Sequence, residues 1–250
     1  MRYLIISDIH ANLVALEAVL AHADLATVDE IWCLGDVIGY GPDPNECVAR
    51  VRELAPNRCL VGNHDYAALN RIDISDFNPE ARRAVLWTRE QLTPESVGFL
   101  EKLPGRMDHI AERFTLAHGS PRHPIWEYIL SPSVAAENFE AFDTQFCLVG
   151  HTHQPIIFRQ DNQSDDVQVL QPAVGAPLPI AQAEGVRFII NPGSVGQPRD
   201  GDPRASYAVY DDKTGALTYE RVAYDIAETQ ARMAKAGLPE RLIARLDYGW

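Results

Sequence analysis

The sequence predicts an α/β domain, on three observations. Ile31-Trp32-Cys33-Leu34 runs straight into Gly35-Asp36, the pattern of a buried strand that opens at a glycine and delivers one carboxylate to a surface crevice. Three other strand-like runs end in side chains that bind metals: Tyr3-Leu4-Ile5-Ile6-Ser7 before Asp8-Ile9-His10, Leu60-Val61 before Gly62-Asn63-His64-Asp65, and Cys147-Leu148-Val149 before Gly150-His151-Thr152-His153. Segments of helical spacing separate the early runs, and this strand-loop-helix-strand alternation favours a largely parallel sheet covered by helices. Ligands in such sheets sit beyond the carboxyl ends of the strands, where these polar motifs fall.

In chain order, Leu13, Leu16, Val19 and Leu20 mark a helix over 12–22, with Asn12 as its N-cap. Gly39-Tyr40-Gly41-Pro42-Asp43-Pro44 is a turn-rich loop, Asn45 to Leu54 a second helix, and Arg58 to Val61 a third strand. Asn78 to Leu103 has a helical pattern that starts at Pro79 and carries Ala81, Val85, Leu86 and Leu92 on one stripe. Phe114-Thr115-Leu116-Ala117 is a strand ending at His118-Gly119. Residues 121–142 are expected to form a loop and helix at the mouth of the site, like a small cap, and 161–166 an exposed hairpin tip. Arg187 to Ile190 leads into Asn191-Pro192-Gly193-Ser194, and Ser206–Tyr210 with Leu217–Val222 reads as a hairpin around Lys213-Thr214-Gly215. A C-terminal helical segment over 226–250 is interrupted at Gly237-Leu238-Pro239. No repeat or linker divides residues 1–250, so a single domain is expected.

With 250 residues, 46% hydrophobic and 23% charged, the chain has enough apolar material for a sizeable core. A net charge of −13 argues against long nucleic acids as partners, but not against a small phosphorylated substrate, because bound divalent cations reverse the local field. Cys33, Cys47, Cys59 and Cys147 form no C-x-x-C pair and read as free thiols of a reducing compartment. No signal-peptide pattern and no membrane-length apolar run are visible, and a cytoplasmic location is expected.

The strand ends together supply Asp8, His10, Asp36, Asn63, His118, His151 and His153. Imidazoles mixed with carboxylate and amide oxygens suit Mn, Fe, Zn or Co better than Mg²⁺ or Ca²⁺, which prefer oxygen-only shells. Seven ligands are too many for one zinc, yet fit two metals that share a bridging carboxylate and clamp a phosphoryl group between them. His-x-His at His151 and His153 places both rings on one side of an extended segment. His64 offers a further imidazole, and Asp65 a carboxylate to orient it.

As an ordered set, Asp8-Ile9-His10, Gly35-Asp36, Gly62-Asn63-His64-Asp65, His118-Gly119 and Gly150-His151-Thr152-His153 resemble the five motifs of the calcineurin-like metallophosphoesterases. Asn191-Pro192-Gly193-Ser194 further resembles their small prokaryotic phosphodiesterase branch. The resemblance implies a two-sheet β-sandwich flanked by helices in four layers, and two divalent metal ions. It puts Asp8, His10 and His153 on one ion, Asn63, His118 and His151 on the other, and Asp36 between them. It also implies that His64 contacts the phosphoryl group or protonates the leaving oxygen, that Asp65 holds the His64 ring, and that metal-bound hydroxide attacks phosphorus in line.

One departure bears on substrate choice. In the Ser/Thr phosphatases and symmetrical diadenosine tetraphosphatases of this superfamily, an arginine a few residues after the bridging aspartate clamps phosphate; here Tyr40 stands at that place. Losing a fork of guanidinium donors favours a singly charged phosphodiester over a doubly charged monoester. Arg199 is a candidate for the missing contact, or else a surface arginine paired with Asp200 or Asp202. Trp126, with Tyr128, is a candidate to stack a nucleobase, or else packs under a loop. The expected function is hydrolysis of phosphodiester bonds in small nucleotide-like substrates. The alternatives are a phosphomonoesterase or nucleotide pyrophosphatase on the same site, and a catalytically silent interaction scaffold.

Overall fold

The computed structural model describes residues 1–161, 164, 166–181 and 185–250. Its elements, in chain order, are β1 (Arg2–Ile6), α1 (Leu13–His22), β2 (Glu30–Cys33), α2 (Pro44–Leu54), α3 (Asn63–Ala68), α4 (Pro79–Gln91), α5 (Pro94–Leu100), β3 (Arg106–Ile110) and β4 (Phe114–Ala117). They continue with α6 (Pro132–Phe139), β5 (Phe146–Leu148), β6 (Ile156–Asp161), β7 (Val167–Leu170), β8 (Leu178–Pro179), β9 (Val186–Asn191), β10 (Ala205–Asp211), β11 (Ala216–Val222), α7 (Ile226–Lys235) and α8 (Glu240–Ala244). Two sheets result, ordered β2-β1-β10-β11-β8 and β3-β4-β5-β9-β6-β7.

Period-two alternation in the strands explains the layering. Tyr3 and Ile5 of β1 join Phe114, Phe146, Leu148, Phe188 and Ile190 in a core between the sheets. Leu4 and Ile6, pointing the other way, pack with Leu16 and Val19 of α1 and Val48 and Val51 of α2. On the far sheet, Cys147 and Ile189 turn outward to meet Ala135 and Phe139 of α6. Helix, sheet, sheet, helix is therefore the order of layers, as the resemblance implied. Burying each large apolar side chain in these cores contributes about 1.5–3 kcal/mol.

Some expectations need correction. The sheets are mixed: β1–β2 and β4–β5–β9 are parallel, whereas the other pairings are antiparallel. The run Arg58–Val61 reaches the sheet only through a parallel bridge between Cys33 and Cys59. The long helix expected over 78–103 is two helices, because Leu92 turns extended, Thr93 caps α5 and Pro94 opens it. Asn162, Gln163 and Asp165 of the expected hairpin tip lie outside the described residues. Asn12 does cap α1, accepting from Ala15 N at 3.1 Å. Among the described residues no helix is long and apolar enough to cross a membrane.

Candidate metal centre

Parallel strands share one polarity, so the carboxyl ends of β1 and β2, and of β4 and β5, each empty their polar residues at a common edge. All seven predicted ligands meet there. The backbone is bent hard to bring them: Asp8, His10, Asp36, His151 and His153 all adopt positive φ, between 50° and 65°. Each non-glycine residue in that region costs about 1–2 kcal/mol, a strain that clusters at functional sites. Close approach also dictates Gly62, where an added Cβ would overlap Asp36 Oδ1.

Hydrogen bonds to main-chain carbonyls fix the imidazoles. His10 Nδ1 donates to Ile38 O at 3.2 Å, His118 Nδ1 to Leu34 O at 2.9 Å, and His153 Nδ1 to Gln197 O at 2.6 Å. His151 uses its other nitrogen, Nε2, to donate to Trp126 O at 3.2 Å. In the neutral ring each such bond leaves the opposite nitrogen as a bare lone pair, the form a metal needs.

The lone pairs of His10 and His153 have nowhere favourable to point except at a cation. His10 Nε2 and His153 Nε2 face each other at 3.0 Å, and burial holds both rings well below the ordinary imidazole range, so no shared proton bridges them. His118 Nε2 faces two oxygens, Asn63 Oδ1 at 3.2 Å and Asp36 Oδ2 at 3.4 Å. Burial disfavours a charge on His118, but the negative charge of Asp36 beside it raises the ring to about 9. Buried Asp36 Oδ2 itself has no hydrogen-bond partner. Two donor groups form, Asp8–His10–Asp36–His153 and Asp36–His118–His151, with ligand atoms in each within 4.8 Å of one another. Asp36 belongs to both, and Asn63 adds its amide oxygen to the second. The residues present thus fit two divalent cations with a shared carboxylate.

Burial raises Asp8 to about 7, with Asp36 adding to the effect against the pull of His118. For Asp36, burial acts upward too, but the surrounding imidazoles, His118 first, hold it well below the usual carboxylate range. Burial also holds His64 down, to about 4.

Asp65 does not hold the His64 ring. Its carboxylate accepts from Gly62 N at 2.8 Å and Ile38 N at 3.1 Å, capping α3 and pinning the loop after Asp36. His64 Nδ1 is buried without a hydrogen-bond partner and lies against Gly39, where a Cβ would come within 2.8 Å of it. The ring is packed between Tyr40, at 4.2 Å, and Phe77, at 5.2 Å between centroids.

Arg199 sits behind Tyr40, with Nη2 3.5 Å from the phenolic oxygen and the guanidinium 5.7 Å from the ring centre. It pairs with neither Asp200 nor Asp202, which take Arg221 and Arg204 instead. Nη2 donates to Gln197 Oε1 at 2.8 Å, and Nε is buried and unpartnered. Trp126 crosses Phe77 edge-on at 5.9 Å, whereas Tyr128 stacks on His151 at 4.1 Å with planes 7° apart. Tyr128, rather than Trp126, therefore covers the ring of a candidate ligand, His151. Sequence reasoning missed Gln197, whose carbonyl orients His153, because a main-chain acceptor leaves no mark in residue type.

Comparison with known proteins agrees with this geometry. Residues 1–215 match the calcineurin-like phosphoesterase superfamily domain. The chain is 39% identical to an uncharacterised protein of Methanocaldococcus jannaschii over 250 residues, 98% of this chain and 97% of that one. The crystal structure of a metallophosphoesterase from Sphaerobacter thermophilus superposes with a TM-score of 0.89 at 55% identity, covering 100% of this chain and 99% of that one. A symmetrical bis(5′-nucleosyl)-tetraphosphatase of Pectobacterium atrosepticum is 32% identical over 101 residues, 35% of this chain and 36% of that enzyme.

Proposed function

Because the chain belongs to the calcineurin-like phosphoesterase superfamily, a family of phosphoric ester hydrolases, we propose that it cleaves phosphodiester bonds of small nucleotide-like substrates. One observation carries the reading: two groups of buried donors, each with its ligand atoms within 4.8 Å of one another, have Asp36 in common. Two divalent cations held there would neutralise phosphoryl oxygens and supply hydroxide near neutral pH.

The chain's own residues do the rest. His64, kept neutral by burial, would donate to the phosphoryl group through Nε2, since its Nδ1 is buried against Gly39. Arg199 brings a single guanidinium, whose Nη2 is engaged with Gln197 and whose Nε is buried, so few of its donors are left for phosphoryl oxygens. That modest clamp matches a diester's single charge better than a monoester's two. The partial likeness to a bis(5′-nucleosyl)-tetraphosphatase supports a nucleotide substrate. Manganese is the ion we would supply first, and the four buried free thiols support a cytoplasmic setting.

A second reading, phosphomonoester hydrolysis, draws on the position of Arg199 beside Tyr40. To decide, chelator-stripped protein is resupplied with Mn²⁺, Fe²⁺, Co²⁺ or Zn²⁺ and given bis(p-nitrophenyl) phosphate or p-nitrophenyl phosphate. We expect metal-dependent turnover that favours the diester and falls by about 100-fold or more in Asp36→Asn. Faster monoester cleavage would favour the second reading. No turnover with any ion, despite bound metal, would leave a non-catalytic scaffold.

A further inference from the structure

A cavity of about 760 Å³ adjoins the centre, a size that suits a nucleotide. Tyr40, Tyr128 and Arg199 form its inner side, and all three touch the ligand shell: Tyr40 lies against His10, Tyr128 against His151, and Arg199 N donates to His153 O at 3.3 Å. The C-terminal segment supplies the opposite wall, with Arg241, Arg245, Tyr248 and Trp250.

We infer that this cavity is a subsite for the rest of the substrate: Arg245 and Arg241 hold a second, non-scissile phosphoryl group, and Tyr248 and Trp250 receive a base. The inference rests on the phosphodiesterase reading above and narrows it to nucleotides bearing at least two phosphoryl groups.

Charge is the first argument. In a chain of net charge −13, three arginines against one carboxylate, Glu80, line this cavity. Among the described residues, no Asp or Glu ion pair is formed by Arg199 or Arg245, although Arg245 Nε donates to Trp250 O. Arg241 reaches only Glu80, at 3.8 Å, and its side chain is 84% exposed. Burial, and then the neighbouring Arg199, press Arg245 down to about 10, a penalty that a bound anion would relieve. Guanidinium forks match phosphoryl oxygens in pairs, which favours phosphate as that anion.

Shape is the second argument. Tyr248 and Trp250 stack at 4.9 Å yet remain largely exposed beside the cavity, an aromatic platform with a free face. The wall is anchored. Gly201 N donates to Gly249 O at 3.0 Å, Arg245 Nε donates to Trp250 O, and Leu242 and Leu246 are buried with Tyr40 and Met233.

The dinucleotides pApA and ApA test the inference, because they differ only by a terminal phosphate. With Mn²⁺-loaded protein, kcat/KM should favour pApA by roughly tenfold, the worth of one charge-assisted contact. That preference should shrink towards one in Arg245→Gln and at least halve in Arg241→Gln, whose exposed side chain is not needed for folding. Tyr248→Ala with Trp250→Ala should raise KM for both dinucleotides. Equal rates for pApA and ApA in the wild type, or an unchanged preference in both arginine variants, would overturn the inference while leaving the diesterase reading intact. If bis(p-nitrophenyl) phosphate is not cleaved at all, the diesterase reading fails by itself. Calorimetric titration with pApA then decides the cavity: binding about fivefold weaker in Arg245→Gln supports it, and equal binding in wild type and both arginine variants overturns it.

Discussion

At the scale of single residues, the site is a contest between burial and charge, and neighbours decide each outcome. Asp65 shows how a motif residue can act through the backbone. It satisfies two main-chain N–H groups, so Asp65→Asn, with one acceptor oxygen instead of two, should lower stability by about 1–3 kcal/mol in denaturant unfolding. Its pH profile of kcat should stay in place, because the carboxylate does not touch His64. A displaced profile would restore the ring-holding role. The seven candidate ligands were legible because each is a distinctive side chain at the end of an apolar run. The job of Asp65 was not, since a carboxylate two bonds from a loop amide looks the same in sequence as one facing an imidazole. Arg245 was invisible for another reason: its neighbour Arg199 lies 46 positions away and the ligands farther still.

Among the elements, α7 is tied to the site through one asparagine. Asn12 caps α1, accepts from Thr229 Oγ1 of α7 at 3.1 Å, and donates to Gly196 O at 3.0 Å. Asn12→Ala should therefore cost about 2–3 kcal/mol, the cap together with the lost bonds to Gly196 O and Thr229 Oγ1, the latter keeping only a long bond to Asp225 O. Amide exchange across α7 (Ile226–Lys235) should rise with it, and unchanged protection there would argue that α7 is held by packing alone. Helices with caps and strands with unbroken apolar runs were readable. Strand β3 was not: in Arg106-Met107-Asp108-His109-Ile110 only Met107 and Ile110 pack, partly, on the core, and a register irregularity between them breaks the alternation. Arg58–Val61 failed the other way, with the composition of a strand but only one bridging partner.

Across the whole molecule, the metal-stripped state should carry the signature of its imidazoles. His10 and His153 are held well below their ordinary range, His64 to about 4 and His151 to about 3, all by burial first, so their contribution is present above pH 6.5 and lost as pH falls. Burial raises Asp8 and Asp65 to about 7, and their opposite contribution is lost as pH rises through that value. Four groups outweigh two, so stability should climb from about pH 4.5 to about 6.5. His118, raised to about 9, reverses the trend, because its contribution is lost as pH rises through that value. Melting temperatures of chelator-treated protein at pH 5, 7 and 9 should peak at the middle value. A continued climb to pH 9 would contradict a charged His118. The two sheets and their helices followed from the motif order, whereas their mixed polarity did not. Antiparallel partners such as β10 and β6 come from the second half of the chain, where the helix-strand rhythm ends.

The sheet order has a consequence for synthesis. Strand β1 is made well before β10, which alone covers one of its two edges and leaves the ribosome roughly 200 residues later, on the order of 10–40 s at ordinary elongation rates. Throughout that interval a strand of Tyr3, Leu4, Ile5 and Ile6 offers an open row of amides to any passing chain. A nascent-chain chaperone has its clearest task at the first six residues, long before the centre that they lead into can close.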